Sequence, residues 1–208
     1  MSFQWVIDNA ESISINNLRQ TASTTARDGS VKIASRGYQP RRIEVKVPDG
    51  ILWETIRSYI NDIEQKDRIS TEDIQFNNSG YDWMFAYQGD YTNLTAISGG
   101  VAEATIVNGS ATITLTNSGT LTSGQFKFKK GDFVQLGTDS VYTVTQDVAY
   151  NSNSVVLNRP VVEADATGVV LQTGENCVFT VRCINFPQWT IYGFKQVAWS
   201  GPFVFVEE

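Results

Sequence analysis

Apolar and polar residues alternate along the first quarter of the chain with the period of a β-strand. In RRIEVKV, residues 41–47, charged side chains fall on one face and apolar side chains on the other, which is typical of a half-buried strand. The apolar face consists of Ile43, Val45 and Val47. The segment TTARDGSVKIASR predicts a hairpin that turns at Asp28-Gly29. Residues 1–48 are therefore predicted to form short strands.

The period changes to that of an α-helix between Ile51 and Lys66. The apolar residues of this segment recur at intervals of three or four; they are Leu52, Ile56, Tyr59, Ile60 and Ile63. Asp49 is the predicted N-cap, and Glu54 lies early in the helix, where the dipole favours a carboxylate. This is the one long helix that the pattern predicts, and we expect it to cover one face of a small sheet.

The composition shifts at about Leu94. Residues 94–174 hold only ten charged side chains, four basic and six acidic, among many Ser, Thr, Gly and Asn residues. The segment divides into short alternating stretches separated by turn residues: ATITLTN, GQFKFKKGD, FVQLG, VYTVTQDV and SVVLNRPV. Four to six short strands at this spacing predict a small closed barrel or sandwich.

After Cys177 the chain becomes apolar and aromatic again, in VFTVRCINF, WTIYGFKQVAW and PFVFVEE. The simplest explanation is that these last strands complete the sheet begun by residues 1–93, with the polar segment inserted between them. The predicted fold is mainly β: a β-sandwich-like sheet domain with one α-helix, interrupted by an inserted small β-barrel. The predicted domains are residues 1–93 with 175–208, and residues 94–174.

The residue inventory argues against most catalytic machinery. The chain contains no histidine, which excludes Ser-His-Asp and Cys-His systems and removes half the ligands of the common zinc patterns. No phosphate loop, dinucleotide fingerprint or serine elbow occurs. The sequence therefore predicts a protein that is not an enzyme and has no cofactor or metal. A hydrolase that uses two carboxylates stays open, because such pairs leave no sequence signature.

Charge and cysteine usage limit the partners. The formal net charge is −6, which is unfavourable for wrapping nucleic acid, where Lys and Arg must neutralise phosphates. Cys177 and Cys183 lie six apart in one predicted strand, too far apart for a disulfide, and are expected to be buried thiols. The first ten residues do not predict a secretory signal. No apolar run reaches about 18 residues, so no membrane span is predicted.

Three lysines alternate with two phenylalanines in QFKFKKGD, residues 125–132. One interpretation is an aromatic and basic strand that binds nucleic acid. The other is a strand with phenylalanines inside and Lys127, Lys129 and Lys130 outside, where lysines also discourage edge-to-edge pairing. The excess of acidic residues in the segment favours the second interpretation.

Two clusters of carboxylates were weighed as sites. Glu163 and Asp165 flank an Ala-rich turn and are interpreted as a solvated loop. The other cluster lies at and beyond the end of the predicted helix, and its spacing does not match a calcium loop. It comprises Glu64, Asp67, Glu72 and Asp73. We interpret it as polar surface.

Two segments are candidates for a subunit interface. The basic stretch SRGYQPRRIEVKV carries Arg41 and Arg42, which form either a solvated strand face or an ion-pairing surface against a neighbouring subunit. The tail VAWSGPFVFVEE carries Phe203 and Phe205 and is either a core strand or buried against a partner. Aromatic residues and arginine are enriched where interfaces hold their binding energy.

The order of these elements resembles the distal tail proteins of long-tailed bacteriophages, in the variety with an inserted oligonucleotide/oligosaccharide-binding-type barrel. The residues that carry the resemblance are GTLTSGQFKFKKGDFVQLGTDSVYTVTQDV, with the helix ILWETIRSYINDIEQKD after the strand RRIEVKVPD. The likeness implies a virion protein of the tail tip, made in the host cytoplasm. It implies a hexameric ring that joins the tail tube to the hub and leaves a channel through which DNA passes without specific binding.

The resemblance also implies partners beyond the ring: tail tube and hub proteins, with side-fibre or receptor-binding proteins as a further class. Two other functions remain open. Another tail component, such as a tube terminator, would share the structural role. A carbohydrate-binding module would use exposed aromatic residues such as Trp189 and Tyr192, although each of the five tryptophans is better explained as core or interface.

Overall fold

The structure is a computed structural model that describes residues 2–17, 21–27, 30–35, 40–77, 80–91, 102–118, 121–137 and 140–208. The predicted mainly-β class is confirmed, since several antiparallel sheets account for most of the regular structure. Two α-helices occur in these ranges. Neither helix is long and apolar enough to cross a membrane.

The chain divides into two compact units. Unit 1 comprises Met1–Glu72 and Thr180–Glu208, and unit 2 is Asp73–Phe179. These boundaries differ from the predicted ones by up to about two dozen residues, because Phe76 and Phe85 pack in an aromatic cluster with Phe133 and Phe179. The predicted organisation, in which one independently folding domain is inserted into another, stays a prediction.

The helices and strands follow one another in this order. They are α1 (Ser2–Asp8), β1 (Ser12–Asn17), β2 (Thr21–Thr25), β3 (Val31–Ser35), β4 (Arg41–Lys46), β5 (Ile51–Leu52), α2 (Trp53–Lys66), β6 (Thr71–Ile74), β7 (Ala102–Ile106), β8 (Thr112–Ser118), β9 (Phe126–Phe128), β10 (Phe133–Leu136), β11 (Val141–Thr143), β12 (Val148–Ala149), β13 (Ser154–Val156), β14 (Ala166–Thr173), β15 (Phe179–Asn185), β16 (Trp189–Tyr192), β17 (Gln196–Trp199) and β18 (Phe203–Glu207).

The main sheet joins the two ends of the chain. Its strand order is β1-β4-β18-β15-β6, so the C-terminal strand β18 lies at the centre. Ile43 of β4 and Cys183 of β15 both pair with Phe205, and all three side chains are fully buried. The alternation predicted for RRIEVKV is confirmed, because Ile43, Val45 and Val47 are buried. The predicted completion of the first sheet by the last strands is also observed.

Helix α1 was not predicted, since residues 1–48 were expected to form strands. It buries Phe3, Val6 and Ile7, with the Phe3 ring 5.2 Å from that of Phe205. The carboxylate of Glu72 accepts hydrogen bonds from Phe3 N (3.2 Å) and Ser2 Oγ (3.0 Å) at the helix N-terminus, where a negative charge is favoured. A distant strand therefore stabilises a seven-residue helix that would not form alone.

Helix α2 confirms the helical period. Ile56, Ile60 and Ile63 are fully buried, and Ile56 and Ile60 pack with Val197 of β17 in one cluster. Two details of the prediction are wrong. Leu52 belongs to β5 and is 50% exposed. The N-cap residue is Leu52 and not Asp49. The Asp49 carboxylate instead accepts a hydrogen bond from Trp199 N at 2.8 Å.

Unit 2 contains a six-stranded sheet in the order β11-β10-β14-β7-β8-β13 and the pair β12-β9. An antiparallel bridge between Val144 and Leu157 joins the ends of β11 and β13, so the sheet curls around its core. The core is a set of small and branched side chains that includes Ala104, Ile113 and Leu171. A barrel-like segment was predicted, but β7, β12 and β14 were not recognised in the sequence.

The remaining predictions concern a hairpin and the cysteines. Strands β2 and β3 pair antiparallel, as expected, with Thr25 opposite Val31; the predicted turn residues Asp28 and Gly29 lie outside the described residues. Cys177 and Cys183 are both buried and do not form a disulfide, as predicted. Burial raises the pKa of the Cys183 thiol to about 12, so this thiol stays protonated and unreactive at neutral pH.

Truncating Ile60 to Ala should lower the free energy of unfolding by about 2–5 kcal/mol, because it opens a cavity between α2 and β17. The exposed Ser58 of the same helix provides the matched control, and Ser58→Ala should change stability by less than about 0.5 kcal/mol. Urea unfolding followed by circular dichroism measures both. Equal midpoints for the two variants would show that the buried face is misassigned.

Joining residues 1–72 to 180–208 through a short Gly-Ser linker should give a protein that unfolds cooperatively, because unit 1 keeps its own core. Removing residues 94–174 instead should give a less stable product. That deletion removes Phe133 while leaving Phe76, Phe85 and Phe179 exposed. Thermal unfolding by circular dichroism compares the two. An unfolded first variant contradicts independent folding of unit 1.

Candidate interaction surface

Several exposed apolar side chains lie on a small sheet of unit 1. The strand order is β16-β17-β5, and β16 forms one edge. Tyr192, Gln196 and Leu52 lie in one cross-strand row and therefore share a face. Val197 lies in the neighbouring row and is buried against α2. Since alternate residues point to opposite faces, Tyr192 and Leu52 face away from the helix, and they are 46% and 50% exposed.

The tip of the β16–β17 hairpin presents a phenylalanine to solvent. Tyr192 pairs with Gln196, which leaves a loop of Gly193, Phe194 and Lys195. Phe194 is 92% exposed. Its φ is 64° and that of Lys195 is 60°, a left-handed conformation that is rare for bulky residues and costs about 1–3 kcal/mol. The unusual backbone and the exposed apolar ring together make this tip a candidate contact site.

An ion pair fastens this tip to the helix. Lys195 Nζ lies 2.6 Å from Glu54 Oε1 in the first turn of α2. The hydrogen bond and the attraction between the charges raise the pKa of Lys195 and lower that of Glu54. Both groups are exposed, so the pair orients the loop and adds little stability.

A groove lies at the other end of the same hairpin. Its volume is about 340 Å³, and it is lined by Glu64, Phe186, Gln188, Trp189 and Thr190. The indole of Trp189 stacks on that of Trp53, with ring centroids 4.8 Å apart. Its Nε1–H donates a hydrogen bond to Glu64 Oε1 at 3.2 Å. The stacking and the hydrogen bond together fix the orientation of the Trp189 ring.

The four residues predicted at a subunit interface occupy different environments. Phe203 and Phe205 are fully buried in unit 1, and Arg41 is 4% exposed. Packing inside the chain therefore accounts for these three side chains. Arg42 is the exception, with a side chain that is 39% exposed beside Glu44. The structure brings Arg41 and Phe205 into one sheet, and the subunit interface itself stays a prediction.

Arg41 has a structural role that sequence reasoning missed. Its Nη1 lies 3.0 and 2.9 Å from the two carboxylate oxygens of Glu207, and its backbone N–H donates to Glu207 Oε2 at 3.3 Å. Both side chains are nearly inaccessible, at 4% and 3% exposure. The pair joins the start of β4 to the end of β18, next to the terminus of the chain.

The basic strand of unit 2 differs from its prediction at one residue. Lys127 was expected to point outwards but is 4% exposed. Its Nζ donates a hydrogen bond to Asn153 Oδ1 at 2.7 Å, and burial lowers its pKa. Of the three lysines, Lys127 is buried, Lys129 is partly buried and Lys130 is exposed. This arrangement weakens the interpretation of a basic strand that binds nucleic acid, because a buried lysine is not available to a phosphate.

Carboxylates of unit 2 hold its loops in place. Glu163 accepts hydrogen bonds from Tyr142 Oη at 2.5 Å and Ser140 N at 3.2 Å, and Asp165 accepts one from Asn108 N at 2.7 Å. The Arg159 guanidinium stacks on the Tyr142 ring at 4.5 Å. Glu163 and Asp165 therefore have defined hydrogen-bond partners, whereas the sequence predicted only a solvated loop.

The second carboxylate cluster is also divided by the structure. Glu72 was expected at the surface but is 9% exposed. It accepts hydrogen bonds from the N-terminus of α1 and from Lys66 Nζ. Glu64, in contrast, lies in the groove. Within the described ranges, no group of three Asp, Glu or Cys residues is placed to hold a metal ion.

Sequence reasoning missed the hairpin tip. WTIYGFKQVAW was treated as one aromatic-rich stretch, although Gly193 divides it into two strands that bring Trp189 opposite Trp199. The signal was the glycine between two alternating runs, which is typical of a hairpin. Trp83 of unit 2 was not singled out from the other tryptophans either, and it is 69% exposed.

Replacing Arg41 by Ala should lower the free energy of unfolding by about 3–5 kcal/mol, because the Glu207 carboxylate would remain buried without its cation. The neighbouring Arg42→Ala should cost less than about 1 kcal/mol, since its pair with Glu44 is partly exposed. Urea unfolding measures both. Equal losses would contradict a structural role that is specific to Arg41.

Models of known protein families and curated proteins were compared with the chain, and neither comparison found a match. The function must therefore be inferred from the residues and geometry of this protein. The exposed hairpin of unit 1, with its apolar tip and its groove, is the surface that most needs an explanation.

Proposed function

We propose that this protein is a structural component of a bacteriophage tail tip, a ring-forming distal tail protein that connects the tail tube to the hub. The observation that carries this proposal is the strand order β1-β4-β18-β15-β6. The first and last strands share one sheet, while a barrel-like segment follows β6 and precedes β15 in the sequence. This order supports the proposal, because the proposed family is expected to carry a barrel between the first and last strands of a sheet domain.

Self-association of unit 1 is supported by two separate apolar patches. One is the hairpin tip with Phe194. The other is Ile69 and Ile184, which are 75% and 41% exposed and lie close together because Arg68 N donates to Cys183 O at 3.2 Å. When one patch of each copy binds the other patch of the next, the contact is head-to-tail, and such contacts close into rings when the rotation permits. The ring proposed here is a hexamer.

The acidic character of the chain is compatible with a channel for DNA. A net charge of −6 disfavours adhesion to phosphates and lets DNA slide through. In this proposal the partners are neighbouring copies, tail tube and hub proteins, and side-fibre or receptor-binding proteins. The protein would act in the virion, without catalysis or a cofactor.

The proposal is tested by imaging the particle, or a complex assembled with the neighbouring tail proteins, by cryo-electron microscopy. A closed ring at the end of the tail tube is expected. A single copy, or a position away from the end of the tube, would overturn the connector function. Partners stabilise an assembly by mass action, so native mass spectrometry of the complex supplies the subunit count.

Replacing Phe194 by Ser should weaken ring formation without lowering the melting temperature, because the side chain is 92% exposed and contributes nothing to the core. Trp83→Ser is the matched control, since Trp83 is an exposed aromatic of unit 2. Native mass spectrometry of the assembled complex should show fewer closed rings for Phe194→Ser alone. A cysteine pair at positions 194 and 69 should cross-link adjacent copies. Normal rings without that cross-link would exclude this interface.

A further inference from the structure

We infer that the groove of unit 1 beside Trp189 binds a neutral saccharide. A pyranose ring has one face of C–H groups and a rim of hydroxyl groups. A site for it therefore needs a fixed aromatic surface next to hydrogen-bonding side chains. The groove offers both, because Trp189 lines it together with Gln188 and Glu64.

The aromatic surface is held before any ligand arrives. The stack on Trp53 at 4.8 Å supports the Trp189 ring from one side, and the hydrogen bond to Glu64 prevents its rotation. Trp189 remains only partly buried. A ring that is already ordered loses little conformational entropy on binding, which favours affinity for a weakly interacting ligand such as a sugar.

The polar side chains suit hydroxyl groups. Gln188 is exposed, and its amide group can both donate and accept hydrogen bonds. Thr190 follows Trp189 in β16, so its side chain points to the opposite face of the strand. A carboxylate such as Glu64 accepts hydrogen bonds from ligand hydroxyls with the oxygen that does not bind Trp189. Small-molecule sites combine apolar walls with a few placed polar groups in this way.

Charge and size define the class of saccharide. Glu64 is the charged residue of the groove lining, so uronic and sialic acids would be repelled. A volume of about 340 Å³ is at the low end for small-molecule sites and fits one or two sugar rings. The ligand is therefore a neutral hexose or N-acetylhexosamine at the end of a short oligosaccharide.

The groove is separate from the hairpin tip. Glu54, which fastens the tip, and Glu64, which lines the groove, are ten residues apart on α2, or about 15 Å along the helix axis. Occupation of the groove and assembly through Phe194 can therefore occur together. The inference does not rest on the proposed ring.

The test is a titration of the full-length protein with chitotriose, maltotriose and cellotriose, with sialyllactose as the acidic counterpart. The indole N–H signals of the five tryptophans are followed by ¹H–¹⁵N NMR and assigned with Trp189→Phe. A neutral trisaccharide should shift the Trp189 signal. If no neutral trisaccharide shifts it, or if sialyllactose binds equally well, the inference is overturned.

Variants test the polar contacts without disturbing the aromatic stack. Gln188→Ala should weaken binding about two- to tenfold, the loss expected for one neutral hydrogen bond, while leaving the melting temperature unchanged. Thr190→Ala is the neighbouring control and should leave affinity unchanged, because the Thr190 side chain lies on the opposite face of β16. Trp83→Ala in unit 2 should have no effect on affinity. Unchanged affinity in Gln188→Ala, or loss of affinity in Thr190→Ala or Trp83→Ala, would place the site elsewhere. Sugar binding with no ring in the assembled complex would refute only the ring, and a ring that binds no sugar would refute only the groove.

Discussion

The central position of β18 is the constraint on which unit 1 depends. Residues 203–207 pair with β4 on one side and β15 on the other, so the strands encoded first cannot form a continuous sheet until the last residues are present. The buried pair of Arg41 and Glu207 lies at the edge of this arrangement. Arginine and glutamate are costly to bury separately, and their pairing therefore favours one register of β18 against β4.

The same arrangement exposes the hairpin that precedes β18. Trp199 packs on Phe203 with ring centroids 5.0 Å apart, which anchors the end of β17 in the core. The opposite end of the hairpin is held to α2 by Lys195 and Glu54. A hairpin fixed at both places can keep Phe194 in a left-handed conformation and in contact with water. Strain of this kind persists where the surrounding structure determines the backbone.

Unit 2 contains several polar and charged side chains that are buried. Asp132 is 2% exposed and accepts hydrogen bonds from Gln88 N and Lys129 N at 2.9 and 2.8 Å, while burial raises its pKa. Tyr142 and Lys127 are also buried with partners. The curled sheet has an apolar core of its own, and hydrogen-bonded polar groups hold its turns. This explains how a segment with few charged residues still contains buried ones.

The sequence alone determined the mainly-β class, the α2 face of Ile56, Ile60 and Ile63, the strand RRIEVKV and the burial of both cysteines. Each follows from local periodicity or strand geometry, which a single segment encodes. Only the tertiary structure decided that Glu72 stabilises α1, that Lys127 is buried, and that Phe203 and Phe205 lie in the core of unit 1, where the sequence also allowed burial against a partner. It also decided that Trp189 meets Glu64, 125 residues away in the chain. Such pairs depend on which elements pack together, and no local pattern records contacts between residues so distant in sequence.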